Sequence, residues 1–107
     1  MPNQIESDSD EELVRTRLNS ETAKIAWLEL QRFFAAGQIL FVAADLDLID
    51  VAFAFQQDDT EQVKYWLQQA LVAPVSDTQA GDWFKRDIIL WTVVVKPWVL
   101  VQNPPAS

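Results

Sequence analysis

Apolar residues recur three and four positions apart in "SETAKIAWLELQRFFAAG", where Ala23, Ala26, Trp27, Leu30, Phe33 and Phe34 share one stripe. That spacing predicts one amphipathic helix running to Ala36. Asn19 or Ser20 supplies a short side-chain oxygen for its first turn, and Gly37 stands where a left-handed stop residue belongs. "QILFVA" follows without polar alternation, which predicts a short strand over residues 38–43, covered on both faces.

"DLDLIDVAFAFQQDD" suits a strand or a helix. The helix is preferred, because Asp45 or Asp47 can cap it and early acids favour the positive end of the helix dipole. Leu46, Ile49, Ala52, Phe53 and Phe55 wrap most of its circumference, so it should be the most buried helix. "DTEQVKYWLQQAL" opens with a capping box, Asp59 three residues before Gln62, and turns Val63, Trp66, Leu67, Ala70 and Leu71 inward. In "SDTQAGDWFKRD" Ser76 and Gln79 repeat the box, with Ala80, Trp83 and Phe84 facing the core. Gly81 costs that helix about 1 kcal/mol relative to Ala, which predicts a short one.

"IILWTVVVKPWVLVQ" reads as two strand segments, 88–95 and 98–102. Trp91, Val93 and Val95 should share one face, with Thr92 and Val94 on the other. Between them, Lys96-Pro97 offers no residue suited to positive φ, which a tight hairpin ordinarily needs. Proline at the second turn position fits only a cis turn, and X-Pro bonds are cis in about 5–6% of cases in folded proteins. A kink or wider bulged turn is therefore the first expectation, and a cis-Pro hairpin the alternative. The whole predicts an α+β fold: three to four helices packed on a small, mostly antiparallel sheet, in a winged-helix-like element order.

Composition sharpens the boundaries. Of 107 residues, 16 are Asp or Glu and 8 are Lys or Arg, for a net charge of −8. Glu6, Asp8, Asp10, Glu11 and Glu12 supply most of the excess, and no base lies among them. Residues 1–12 are thus expected as a disordered acidic tail. Residues 13–102 should form a single domain, and 103–107, "NPPAS", a second tail. No basic-then-apolar leader opens the sequence, and no apolar run is long enough for a membrane span. With no cysteine to bridge, the expected location is cytoplasmic.

The same composition closes many routes to chemistry. Without His or Cys, the usual zinc sets, Ser-His-Asp triads and thiolate nucleophiles are excluded within this chain. Two glycines cannot write a nucleotide-binding loop. Asp45, Asp47, Asp50, Asp58, Asp59 and Glu61 form an acidic run, but it lacks the glycine and ligand spacing of a calcium loop. Its members are better read as caps and solvated groups. Arg15, Arg17, Lys24 and Arg32 are the one cationic concentration, read as a solvated face.

"LNSETAKIAWLELQRFFAAGQ", "LDLIDVA", "VKYWL", "VSDTQAGDW" and "WTVVVKPWVLVQ" together resemble the uncharacterised short bacterial proteins of domain-of-unknown-function family 2288. The resemblance spans residues 18 to 102 and is most specific at "ELQRFFAAG" and "PWVLVQ". It implies a bacterial source, and it carries no functional residue onto this chain.

Five tryptophans and six phenylalanines exceed what one small core easily encloses. The expected function is accordingly a non-enzymatic protein–protein contact, including homodimerisation, with no catalytic residue, cofactor or metal. Tyr65, off its helix's stripe, and Trp98, Val99 and Leu100 on an expected edge strand are the candidate interface residues. Two alternatives stand beside this. One is a nucleic-acid-binding regulator reading DNA through "TEQVKYWLQQAL", which is disfavoured because Lys64 is its only cation. The other is a small enzyme using paired carboxylates, for instance Asp50 and Glu61.

Overall fold

The computed structural model describes residues 3–104, with side chains from Asp10 onward. Residues 1–2 and 105–107, the ends of the two expected tails, lie outside the described residues. Ten elements follow in order: α1 (Asn3–Glu21), β1 (Ala23–Ala26), α2 (Trp27–Ala35), β2 (Ile39–Val42), α3 (Leu48–Gln56), α4 (Thr60–Gln68), β3 (Val72–Pro74), α5 (Asp77–Arg86), β4 (Ile89–Val95) and β5 (Trp98–Gln102). The α+β class is as expected, with five helices. From α2 onward the anticipated helix–strand–helix–helix–helix–strand–strand order is present, with β3 inserted before α5.

The five strands form one sheet in the order β1-β4-β5-β2-β3. All neighbours are antiparallel except β2 and β5, which run parallel. Strand β5 therefore lies in the middle of the sheet. The expectation that "WVLV" forms an edge is corrected: β4 flanks it on one side and β2 on the other. The true edges are β1, four residues long, and β3, three residues ending in Pro74. Short edges carrying a lysine (Lys24) or a proline offer little to another chain.

The Lys96-Pro97 bond is cis, and the register pairs Val95 with Trp98. The favoured kink is thus replaced by the alternative, a two-residue hairpin with proline at the second turn position. Alternation beyond it is as expected: Trp91, Val93 and Val95 pack into one core, while Leu90, Val99 and Val101 belong to another.

Because successive side chains point to opposite faces, a central strand pair of this kind needs cover on both. Helices α1, α3 and α4 supply it on one face through Leu18, Leu48, Val51, Ala52 and Trp66, against Leu40, Val42, Val93 and Leu100. Helices α2 and α5 supply it on the other through Trp27, Leu30, Ala80 and Trp83, against Ile39, Leu90, Val99 and Val101. The second core is aromatic. Trp83 meets Trp27 edge-on at 5.1 Å between ring centroids and Phe41 at 5.7 Å. Such pairs contribute about 0.5–1.5 kcal/mol beyond their area.

The predicted helix across residues 20–36 is divided among the end of α1, β1 and α2. Helix α1 ends at Glu21, where the Thr22 hydroxyl donates to the Leu18 carbonyl at 2.7 Å. Ala23–Ala26 then extend to pair with Thr92–Ile89 of β4. Helical spacing in the sequence is overridden by a free strand edge beside it: Ile25 enters the aromatic core, and Lys24 lies over the Trp91 ring at 5.1 Å. Asn19 and Ser20 sit inside α1, and α2 begins after Ala26 with no side-chain cap. Helix α1 continues back through the acidic stretch to Asn3 and packs on the body through Val14 and Leu18.

Helix boundaries elsewhere follow their caps. Asp47 accepts from the Ile49 amide, Asp59 from Gln62 and Ser76 from Gln79. Helix α5 runs ten residues despite Gly81, against nine for each of α2, α3 and α4. Four helices end in the same way. After α2 the Gly37 amide donates to Phe34 and the Gln38 amide to Phe33, with Gly37 at φ 72°. Asp58, Ala70 and Asp87 repeat this arrangement at φ 57°, 57° and 50°, the Schellman pattern of paired bonds around one left-handed residue. Only glycine adopts that conformation without a Cβ penalty. Ala70→Gly is therefore expected to raise the unfolding free energy by about 1 kcal/mol and Gly37→Ala to lower it by about as much. Urea midpoints moving in the same direction for both variants would contradict this.

Candidate functional site

Acids come first, because they decide whether the chain holds reactive chemistry. Asp47 and Asp59 are occupied as caps. Asp50 accepts from the Arg15 guanidinium at 2.5 Å, while Arg15 also bonds Glu11 at 3.2 Å and lies 4.4 Å from the Phe53 ring centre. The Asp50 hydrogen bond is the main influence raising the Arg15 pKa above its usual range. This cluster ties α1 to α3. Among the described residues no three acids gather as a metal cage. Arg32 lies against Phe33, so three of the four cations singled out in the sequence rest on aromatic rings.

The proposed interface residues separate. Val99 and Leu100 are buried, Val99 in the aromatic core and Leu100 in the opposite one. They face helices, so their assignment to an interface is corrected. Tyr65 is exposed on α4. Trp98 is half-buried and lines a groove of about 310 Å³ between the α3–α4 corner and the β4–β5 turn, with Phe55, Val63, Val95 and Pro97. Tyr65 is not part of that lining. The groove rim mixes Asp58 and Asp59 with Lys64 and Lys96, so it favours neither sign of charge.

A second groove, of about 390 Å³, runs between α2 and α5. Its floor is Trp27, Phe34 and Ala80; its α5 wall carries Asp77, Gly81, Phe84 and Lys85. Phe84 was expected in the core, but Ala80 and Trp83 take the buried side and Phe84 is 54% exposed, one step round the helix. Leu28, in the same helical layer, is 50% exposed. Two large apolar side chains standing in water on one layer are the surface feature that sequence reading missed. Its faint signal was "WF": a helix that buries one of two adjacent aromatics must turn the other about 100° away.

The loop after β2 is held by the Gln102 side-chain amide, which donates to the Ala43 and Leu46 carbonyls at 2.9 and 2.7 Å. It fixes where α3 starts. Among the described residues no helix is long and apolar enough to cross a membrane.

Comparison with known proteins agrees with this geometry. The family model described as protein of unknown function, DUF2288, matches residues 13–103. The chain belongs to that family. The match spans β1 through β5 and the last nine of α1's nineteen residues, so both helical layers are DUF2288 structure. The NMR solution structure of PA1075 from Pseudomonas aeruginosa is similar, at 45% identity and a TM-score of 0.76, covering 88% of this chain and 87% of that one. No curated protein matches the chain in sequence.

Neighbouring residues in α5 should respond oppositely to truncation. Trp83→Ala removes the centre of the aromatic core and is expected to cost about 3–5 kcal/mol. Phe84→Ser should leave the unfolding free energy within about 0.5 kcal/mol of the parent. Equal destabilisation by both in urea unfolding would show that Phe84 is packed after all.

Proposed function

We propose that this DUF2288 chain is a cytoplasmic, non-enzymatic module that works by protein–protein contact through its α2–α5 layer. The observation that carries the reading is the exposed Phe84 side chain, which lines a groove floored by Trp27, Phe34 and Ala80, with a second exposed apolar side chain, Leu28, on α2 of the same layer. Exposed aromatic and aliphatic anchors next to a preformed groove are the ordinary anatomy of a binding surface. The α4 side is the weaker candidate, since its exposed Tyr65 stands apart from the Trp98 groove. Charge weighs against nucleic acid: α4 offers Lys64 beside Asp58, Asp59 and Glu61, and phosphates would be repelled.

The test is site-specific photo-crosslinking in cells that express the protein. A photoreactive residue placed at Phe84 should give covalent adducts with protein, while the same residue at the exposed Gln69 or at Tyr65 should give few. Adducts equal at all three positions, or absent at Phe84, would defeat the reading.

A further inference from the structure

We infer that the partner of the α2–α5 layer is a second copy of this chain, docked about a two-fold axis through Gly81. This rests on the contact reading above and adds the occupant and its geometry. Asp77, Gly81 and Lys85 are spaced four apart, so they form one i±4 row along α5. All three line the groove and are exposed. The row is antisymmetric about its middle: an acid at one end, a base at the other, and at the centre a residue without a side chain.

That arrangement is what an isologous interface requires, because the same patch must complement itself. With two α5 helices antiparallel and crossing at Gly81, Asp77 of each copy lies opposite Lys85 of the other. Both sit about 6 Å along the helix from the axis, within reach of the two side chains. Neither residue has an ion-pair partner among the described residues, whereas the neighbouring Asp82 and Arg86 pair with each other at 2.8 Å. A Cβ added at Gly81 would meet nothing within 4 Å of its own chain. The absent side chain therefore leaves the helix surface open for close approach. Phe84, beside the row, would be covered by the second copy. Elsewhere the chain is acidic, at −8 overall, so two copies repel except where a balanced strip meets itself. Physiological salt, with a screening length of about 8 Å, weakens that repulsion.

Light scattering coupled to size exclusion, at physiological salt and protein concentrations up to the millimolar range, tests this on the full chain. The parent should reach twice its 12.2 kDa chain mass. Gly81→Gln fills the crossing point with a better helix former, so it should run as a monomer while melting no lower than the parent. Asp77→Lys and Lys85→Asp should each weaken self-association by roughly tenfold or more. Mixed one to one, they should associate with each other, since each end of the row then meets its opposite. A monomeric parent, a dimeric Gly81→Gln, or a mixture no tighter than the single variants would overturn the proposal. If the parent is monomeric yet the Phe84 crosslinker still captures another protein, the second copy is excluded and the contact reading survives.

Discussion

Strands β4 and β5 are joined through two residues and paired over all of β5 and Trp91–Val95 of β4, and this pairing is the constraint from which the remaining architecture follows. The pair lies inside the sheet, so most of its side chains look into one of two cores, while Ile89 and Val94 stand half exposed. Leu100 and Val93 face the α1, α3 and α4 side; Val99 and Val101 face Trp27 and Trp83. Each such side chain, fully buried, contributes about 1.5–3 kcal/mol, and that gain exists only if helices cover both faces. The three-layer build is thus a consequence of a hairpin with no polar face. It also sets the surface: with the sheet enclosed and its edges short, the outer faces of helices are what remain for recognition.

Local signals in the sequence were reliable where one residue type answers one backbone need. Asp47, Asp59 and Ser76 cap the helices they precede, and Gly37 ends α2 in the left-handed conformation. The strand "QILFVA" lacks polar alternation because both its faces are covered. What was illegible depended on partners far away in the chain. Residues 23–26 carry helical spacing, yet β4, more than sixty residues later, draws them into the sheet. Strand β3 is three residues long and ends in proline, too little pattern to read. Among its described side chains helix α1 buries only Leu18 completely and holds on with Arg15, a contact that needs Asp50 in place.

The candidate surface was legible only in part. Excess aromatic residues correctly suggested more apolar area than a single core, but they divide between two cores, and Trp98, Val99 and Leu100 mainly serve those. Position relative to the sheet decided this, and sheet order is not written in a strand's own residues. Phe84 and Gly81 show the converse. Read along the helix alone, one looked like core and the other like weakness; placed on the outer layer, they become an exposed aromatic and an open stretch of helix surface.

Amide hydrogen exchange followed by NMR tests the central placement of β4 and β5 most directly. The hydrogen-bonded amides among Val93, Leu100 and Val101 should exchange only through global unfolding, while those of β1 and β3 open locally and faster. Protection in β5 no greater than in β1 would contradict a sheet organised around that hairpin.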